Sequence, residues 1–287
     1  MTNTSIAQTQ PTTRFMWRLG LASGAVSTGA AILLIPLAER TADLFAWTIA
    51  VPASAAFIGL FYLTLTVMAL LSLRQPWWAP VRAALVPAVV FVALVLVTTL
   101  IHIDKFHLFS GGTAARAVAW IWLAIYVVTV PAYLLGFWRQ RRAPGGDPPR
   151  TVPLPPWARL ALGGFAVVLT LEGLALFVAP PLGPSLWPWA LTPLTARMIG
   201  VTLISVALLA AAVVRFDDRV TGRIPTIGLL VFGIGALAVA ARYSDQVEWT
   251  RPSAWAYLAV TLALAVVAFA MLPRSGSAHP SAAPTTQ

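Results

Sequence analysis

Long apolar runs, separated by short clusters of charge, make up most of this chain. They lie near 15–38, 51–73, 83–101, 117–137, 159–179, 195–214, 224–241 and 253–272. Each is close to the ~20 residues a helix needs to cross the hydrocarbon of a bilayer. A transmembrane barrel would instead show alternating segments of ~10 residues, and these runs are too long and too uniformly apolar for that. The pattern predicts an all-α polytopic membrane protein with eight spans.

The polar breaks define the organisation. Residues 1–14 read as a disordered tail, and the first run, which follows Arg14 and contains Arg18, reads as a retained span. A secretory leader would have a shorter apolar core and a small-residue cleavage site. Pro131 inside the fourth run predicts a kink. The basic, Pro/Gly-rich stretch RQRRAPGGDPPRTVPLPP, 139–156, reads as a linker between 15–138 and 157–273, and 274–287 reads as a second disordered tail. Counted by side, thirteen Lys and Arg fall with the two ends and six on the opposite face. The positive-inside rule then places both termini in the cytoplasm, in a bacterial cytoplasmic membrane.

The two halves align with each other. LFAWTIAVPASAAFIG (44–59) matches LWPWALTPLTARMIG (186–200), pairing Trp47 with Trp189, Pro52 with Pro193 and Gly59 with Gly200. Arg74, Arg82, Phe91 and Asp104 then pair in constant register with Arg215, Arg223, Phe232 and Asp245. After a shortening, Arg116 and Trp120 meet Arg251 and Trp255, while TGAAILLIP (28–36) matches EGLALFVAP (172–180). Two tandem four-helix repeats in parallel orientation are expected, related by an axis along the membrane normal. Duplication alone does not specify a function.

Composition narrows the classes. Only 10% of residues are charged, and the absence of cysteine excludes disulfides, thiolate catalysis and cysteine-bound metals. The formal net charge of +10 lies in loops beside the spans, so it sets topology rather than marking a nucleic-acid surface. No Ser-His-Asp set, P-loop, dinucleotide fingerprint or zincin motif occurs, and no cofactor is expected. RFDDRVTGR, 215–223, reads as a positive-inside loop.

Candidate chemistry begins with Glu172, a carboxylate inside an apolar span, about 10 Å below its outer end at 1.5 Å per residue. Arg197 enters the next span at similar depth. Their repeat mates are Thr28 and Ala56, so both charges are peculiar to the second half. A Glu172–Arg197 pair is the economical expectation, because a lone charge there would be neutralised or excluded. It would serve either as a substrate or ion site or as a lock on helix register. His102, Asp104 and His107 in HIDKFH are weak candidates for a metal, since the spacing matches no strong motif and the second half reads YSDQVE. Asp104 and Asp245 form a symmetric pair that Arg242 or Arg116 is placed to neutralise. Of twelve tryptophans, Trp17, Trp77, Trp78, Trp138 and Trp157 read as one interfacial belt. Trp47, Trp187, Trp189, Trp249 and Trp255 read as the other, with Trp47 and Trp189 also able to line an outer vestibule.

LEGLALFVAP, WPWALTPLTARMIG, ARYSDQVEW and PSAWAYLA give residues 157–272 a resemblance to a group of uncharacterised multi-pass membrane proteins of GC-rich bacteria. The resemblance implies a membrane-spanning helical fold and carries over no catalytic or binding role. Three functions remain open. One is a small-solute transporter or binding protein with an outward-facing site near Glu172 and Arg197, its fifth span flexing at Gly163, Gly164 and Gly173. Another is a non-catalytic scaffold or accessory subunit, with Glu172–Arg197 as a helix lock. The third is a membrane enzyme on lipid-like substrates, which would need the histidines to converge. The expected partners are the lipid bilayer and a small solute or ion, not nucleic acid; no protein partner is indicated.

Overall fold

The computed structural model describes residues 9–272. Among the described residues ten α-helices follow one another with no strand, and eight are long and apolar enough to cross a membrane. They are α1 (Arg14–Leu34), α3 (Pro52–Ser72), α4 (Trp78–Ile101), α5 (Thr113–Gln140), α6 (Pro156–Val178), α8 (Pro193–Phe216), α9 (Arg223–Arg242) and α10 (Pro252–Met271). The two short helices, α2 (Thr41–Leu44) and α7 (Gly183–Leu186), precede α3 and α8. An even number of crossings leaves both described ends on one face of the bundle, called here the terminal face; the other is the distal face.

Local signals start these helices within five residues of where the apolar runs begin. Proline opens α3, α6, α8 and α10, where its missing N–H costs no hydrogen bond. Thr13 and Thr192 cap α1 and α8 by accepting from the backbone N–H three residues on. Pro131 lies inside α5 as expected, Pro87 lies inside α4, and both helices continue through them.

Helices α3 and α8 occupy the centre, buried on nearly every side. Helix α1 packs on α3, α6 on α8, α4 on α8 and α9 on α3, with α10 against α9 and α5 against α4. Small residues allow the tightest approaches, as is usual between helices in lipid. A Cβ placed on Gly200 would stand 2.5 Å from the carbonyl oxygen of Gly173, so α6 and α8 meet backbone to backbone. Buried hydroxyls avoid desolvation by donating back along their own helix, as in Thr64 to the Leu60 carbonyl (3.0 Å) and Ser205 to that of Val201 (2.7 Å).

The terminal face is more ordered than its composition suggests. Asp218 accepts from the backbone N–H of Val152 (2.8 Å), Thr151 (3.1 Å) and Thr221 (3.0 Å), and from the Thr221 hydroxyl (2.8 Å). Asp217, in the left-handed region at φ 50°, binds Arg159 (2.6 Å) and Arg150 (3.3 Å). The basic linker is therefore strapped to the α8–α9 loop. Of the N-terminal tail, residues 1–8 lie outside the described residues, as do 273–287 at the other end. Residues 10–13 depart from the expected disorder. Gln10 and Thr13 bond to Gln140, and the Gln10 side chain also reaches the Ala143 carbonyl.

Candidate functional site

Glu172 lies on α6, six residues before its distal end at Val178, so about 9 Å inside that end. Its neighbour Gly173 occupies the position facing α8. One residue turns a helix by about 100°, which aims Glu172 away from α8 and toward α10. There it lines a cavity of about 500 Å³. The wall includes Phe57 of α3, Leu203 of α8, Phe232 of α9 and Trp187 after α7, with Ser253, Tyr257 and Thr261 from α10.

The wall is aromatic and its polar groups are incompletely paired. Trp187 is 2% exposed and packs edge-on against Phe57 (centroids 5.0 Å), Trp189 (5.2 Å) and Tyr257 (5.5 Å). Among the described residues its indole N–H has no hydrogen-bond partner, and neither does the hydroxyl of Ser253, itself 9% exposed. Buried donors are normally satisfied, so two orphans in one wall are notable. The other polar groups are occupied: Tyr257 donates to the Ala236 carbonyl (2.8 Å) and Thr261 to that of Tyr257 (2.7 Å). Trp189 donates to the Ser54 hydroxyl (2.8 Å).

The expected Glu172–Arg197 pair does not form. The ion pairs among the described residues are Arg82–Asp147, Lys105–Asp104, Arg150–Asp217, Arg159–Asp217 and Arg251–Glu248. Arg197 instead donates to His102 Nε2 at 2.7 Å, tying α8 to the distal end of α4. The helices are adjacent as expected, but the two side chains leave them in different directions. Burial first, and then the Arg197 charge, push the His102 imidazole below its ordinary value. A guanidinium can only donate, so Nε2 takes the accepting role in this contact.

The histidines do not converge with Asp104. His107 bonds to the Thr48 hydroxyl and the Phe45 carbonyl (both 3.1 Å), His102 to Arg197, and exposed Asp104 to Lys105 at 2.9 Å. The hydrogen bond from Lys105 holds the Asp104 carboxyl below its ordinary value. No group of three metal-ligating side chains assembles among the described residues. Asp104 is thus neutralised by Lys105 rather than by Arg116 or Arg242, and Asp245 makes no ion pair among the described residues.

Trp47, Trp187 and Trp189 are corrected from interfacial belt to core: each is almost wholly buried, and so is Trp78. Trp47 and Trp189 consequently do not border open water. Trp17, Trp77, Trp138, Trp157, Trp249 and Trp255 are exposed, as a belt requires. Gly173 is a packing contact and not a hinge, whereas Gly163 and Gly164 face open space.

Sequence reading missed Ser253, Tyr257 and Thr261. Their signal is a stripe at i, i+4 and i+8 on the last span, which puts all three on one face of α10. No protein-family model, curated protein or solved structure matches the chain, and the site is read from its own residues.

Proposed function

We propose that this is a small-solute binding protein or carrier of a bacterial cytoplasmic membrane, with both ends cytoplasmic and its site in the Glu172 cavity. One observation carries this reading. A wall that already holds a carboxylate without an ion pair also holds two buried polar groups without partners. Leaving a polar group unpaired in a dry interior costs about 1–3 kcal/mol, more for a charge, and a helix lock would have closed those contacts internally. A ligand or water completes them instead. The volume lies within the ~300–1,000 Å³ of small-molecule sites. In the same reading the halves 15–138 and 157–273 are tandem four-helix repeats. The recurrence of α1 on α3 as α6 on α8, and of α3 on α9 as α8 on α4, supports this.

The test is thermal unfolding of the full chain in mild detergent against organic cations, anions, zwitterions, neutral solutes and divalent metals. It compares wild type with Thr261→Tyr, whose added ring occupies the cavity. A ligand at 100 times its Kd stabilises by about 2.7 kcal/mol. Some member of the panel should raise the wild-type midpoint and leave that of Thr261→Tyr unmoved, although the variant folds with an undiminished basal midpoint. No shift for wild type, or the same shift in both proteins, overturns the proposal.

A further inference from the structure

The proposed binding role leaves the class of solute open. We infer that the Glu172 cavity takes an organic cation, an ammonium carried on a small apolar body; this rests on the reading of the cavity as a ligand site.

Charge comes first. Among the described residues Glu172 is the one charged side chain in the wall, and no arginine, lysine or histidine lines it. An anion would meet repulsion from the ionised carboxylate, and with a neutral solute the group has no counter-charge in a poorly hydrated space and is left to protonate. A cation supplies the missing partner.

The remaining wall says what kind of cation. A divalent metal asks for at least six oxygen ligands if it is calcium, or several retained waters if magnesium. The wall offers one carboxylate, and its other side-chain oxygens are the neutral hydroxyls of Ser185, Ser253, Tyr257 and Thr261, so a divalent ion would keep an unneutralised charge in an apolar cavity. Phe57, Trp187, Phe232 and Tyr257 contribute rings instead. Aromatic surface beside a carboxylate is how proteins hold alkylated ammonium groups, whose diffuse charge is attracted by the ring quadrupole and whose methyl groups are content in apolar contact. The orphan Trp187 N–H and Ser253 hydroxyl, enclosed in the wall of the empty protein, are met by an acceptor as the wall adjusts, either the carboxylate as it shifts onto the cation or an oxygen on the solute.

The rim agrees with an apolar body. Val168 and Leu171 on α6 and Ala256 on α10 are exposed beside the opening, at membrane depth, so the cavity has a side open between these two helices. Ser185 and Pro252 border it toward the distal face. A hydrated inorganic ion has no affinity for such an edge, whereas an amphipathic amine does.

The experiment uses two probes of the same shape, benzyltrimethylammonium and its uncharged carbon isostere neopentylbenzene, with wild type, Glu172→Gln and Thr261→Tyr. Binding is read by midpoint shift and by titration calorimetry on the full chain. The ammonium is expected to bind wild type while the isostere does not, and Glu172→Gln should weaken the ammonium by about ten-fold or more. Equal binding of both probes to wild type, or ammonium binding unchanged in Glu172→Gln, overturns the cation assignment. So does binding confined to an anion or zwitterion; where Thr261→Tyr abolishes that binding, the cavity remains the site. If no compound binds wild type, both the class and the site fall together. The charged-against-neutral comparison on wild type needs no variant to fold.

Discussion

The contact between Gly173 and Gly200 sets where Glu172 stands, and it can be broken by a single methyl group. A Cβ on Gly200 would lie 2.5 Å from the Gly173 oxygen, 3.0 Å from the Phe177 nitrogen and 3.3 Å from the Leu176 Cβ. The two nearest atoms are backbone, which no rotamer change can move, so α6 must retreat by about 1 Å to restore normal contact. Overpacking of this kind costs about 1–3 kcal/mol, and the rigid neighbours put Gly200→Ala toward the upper end. Gly163→Ala on the same α6 is the control. Nothing lies within 4 Å of its Cβ, and replacing a helical glycine there gains up to about 1 kcal/mol. Unfolding titrations in mixed micelles should therefore separate the two variants by about 2–4 kcal/mol. Gly200→Ala should also weaken binding in the cavity, because its one carboxylate moves with α6. Equal stability of the two variants would refute the claim that this contact holds α6 in place.

Two further outcomes concern the loops. Burial alone would raise the Asp218 carboxyl, but the Val152, Thr221 and Thr151 donors outweigh it and hold it below the ordinary range. The stability it contributes is present above about pH 4 and lost as pH falls further. Asp218→Asn should free the linker at neutral pH, read as proteolysis between residues 141 and 155; an uncleaved linker would count against the strap. His102, held below its ordinary value by burial and Arg197, takes up more protons unfolded than folded just below about pH 6.5. Stability should thus decline as pH drops through that region, and His102→Gln, which keeps an acceptor for Arg197, should flatten the decline. An unchanged slope would mean that another group is responsible.

The eight spans were legible because lipid enforces one rule over twenty residues at a time, and that rule survives every tertiary detail. The prolines that open α3, α6, α8 and α10 lie within three residues of the expected run starts, and Pro156 belongs to α6 rather than to the linker. Direction around a helix was not legible. Glu172 and Arg197 share a depth in sequence, yet their partners depend on which side of α6 and α8 each occupies, and Gly173 decides that by taking the α8-facing position. Nor does composition distinguish a tryptophan at the membrane surface from one in the core: Trp189 and Trp255 have equally apolar neighbours, but only the first is enclosed by α3 and α10. Asp218 was hidden for the opposite reason. Its neighbours made it look like one charge in a solvated loop, whereas its oxygens are claimed by donors some 66 residues earlier in the chain.

The difference between the halves bears on the proposed site. In the proposed tandem alignment, Phe45, Trp47, Trp122 and Tyr126 correspond to Trp187, Trp189, Tyr257 and Thr261. Trp122 meets Phe45 at 5.3 Å and Trp47 at 5.2 Å, much as Tyr257 meets Trp187 at 5.5 Å and Trp189 at 5.6 Å. In the first half every polar group in this set with a place in the interior, apart from the Trp47 indole, has a partner. Trp122 donates to the Thr99 hydroxyl, Tyr126 bonds to Tyr62, and Thr28, in the position of Glu172, donates to the Gly24 carbonyl. The second half exchanges Trp122 for a smaller Tyr257 and Tyr126 for a much smaller Thr261, which leaves room between α6 and α10. It also puts Ser253 in place of Val118 and Glu172 in place of Thr28, adding polar groups where volume was removed. A bundle enlarged only for packing has no reason to make both changes on the same wall. Each is unfavourable for the empty protein, since a void forfeits dispersion contacts and a charge at this depth costs roughly 2.5–3.5 kcal/mol on insertion scales. Together they are the changes that the proposed binding role asks of a filled helix interface, and Thr261→Tyr returns the bulk of Tyr126 at the position where the proposed alignment loses most volume.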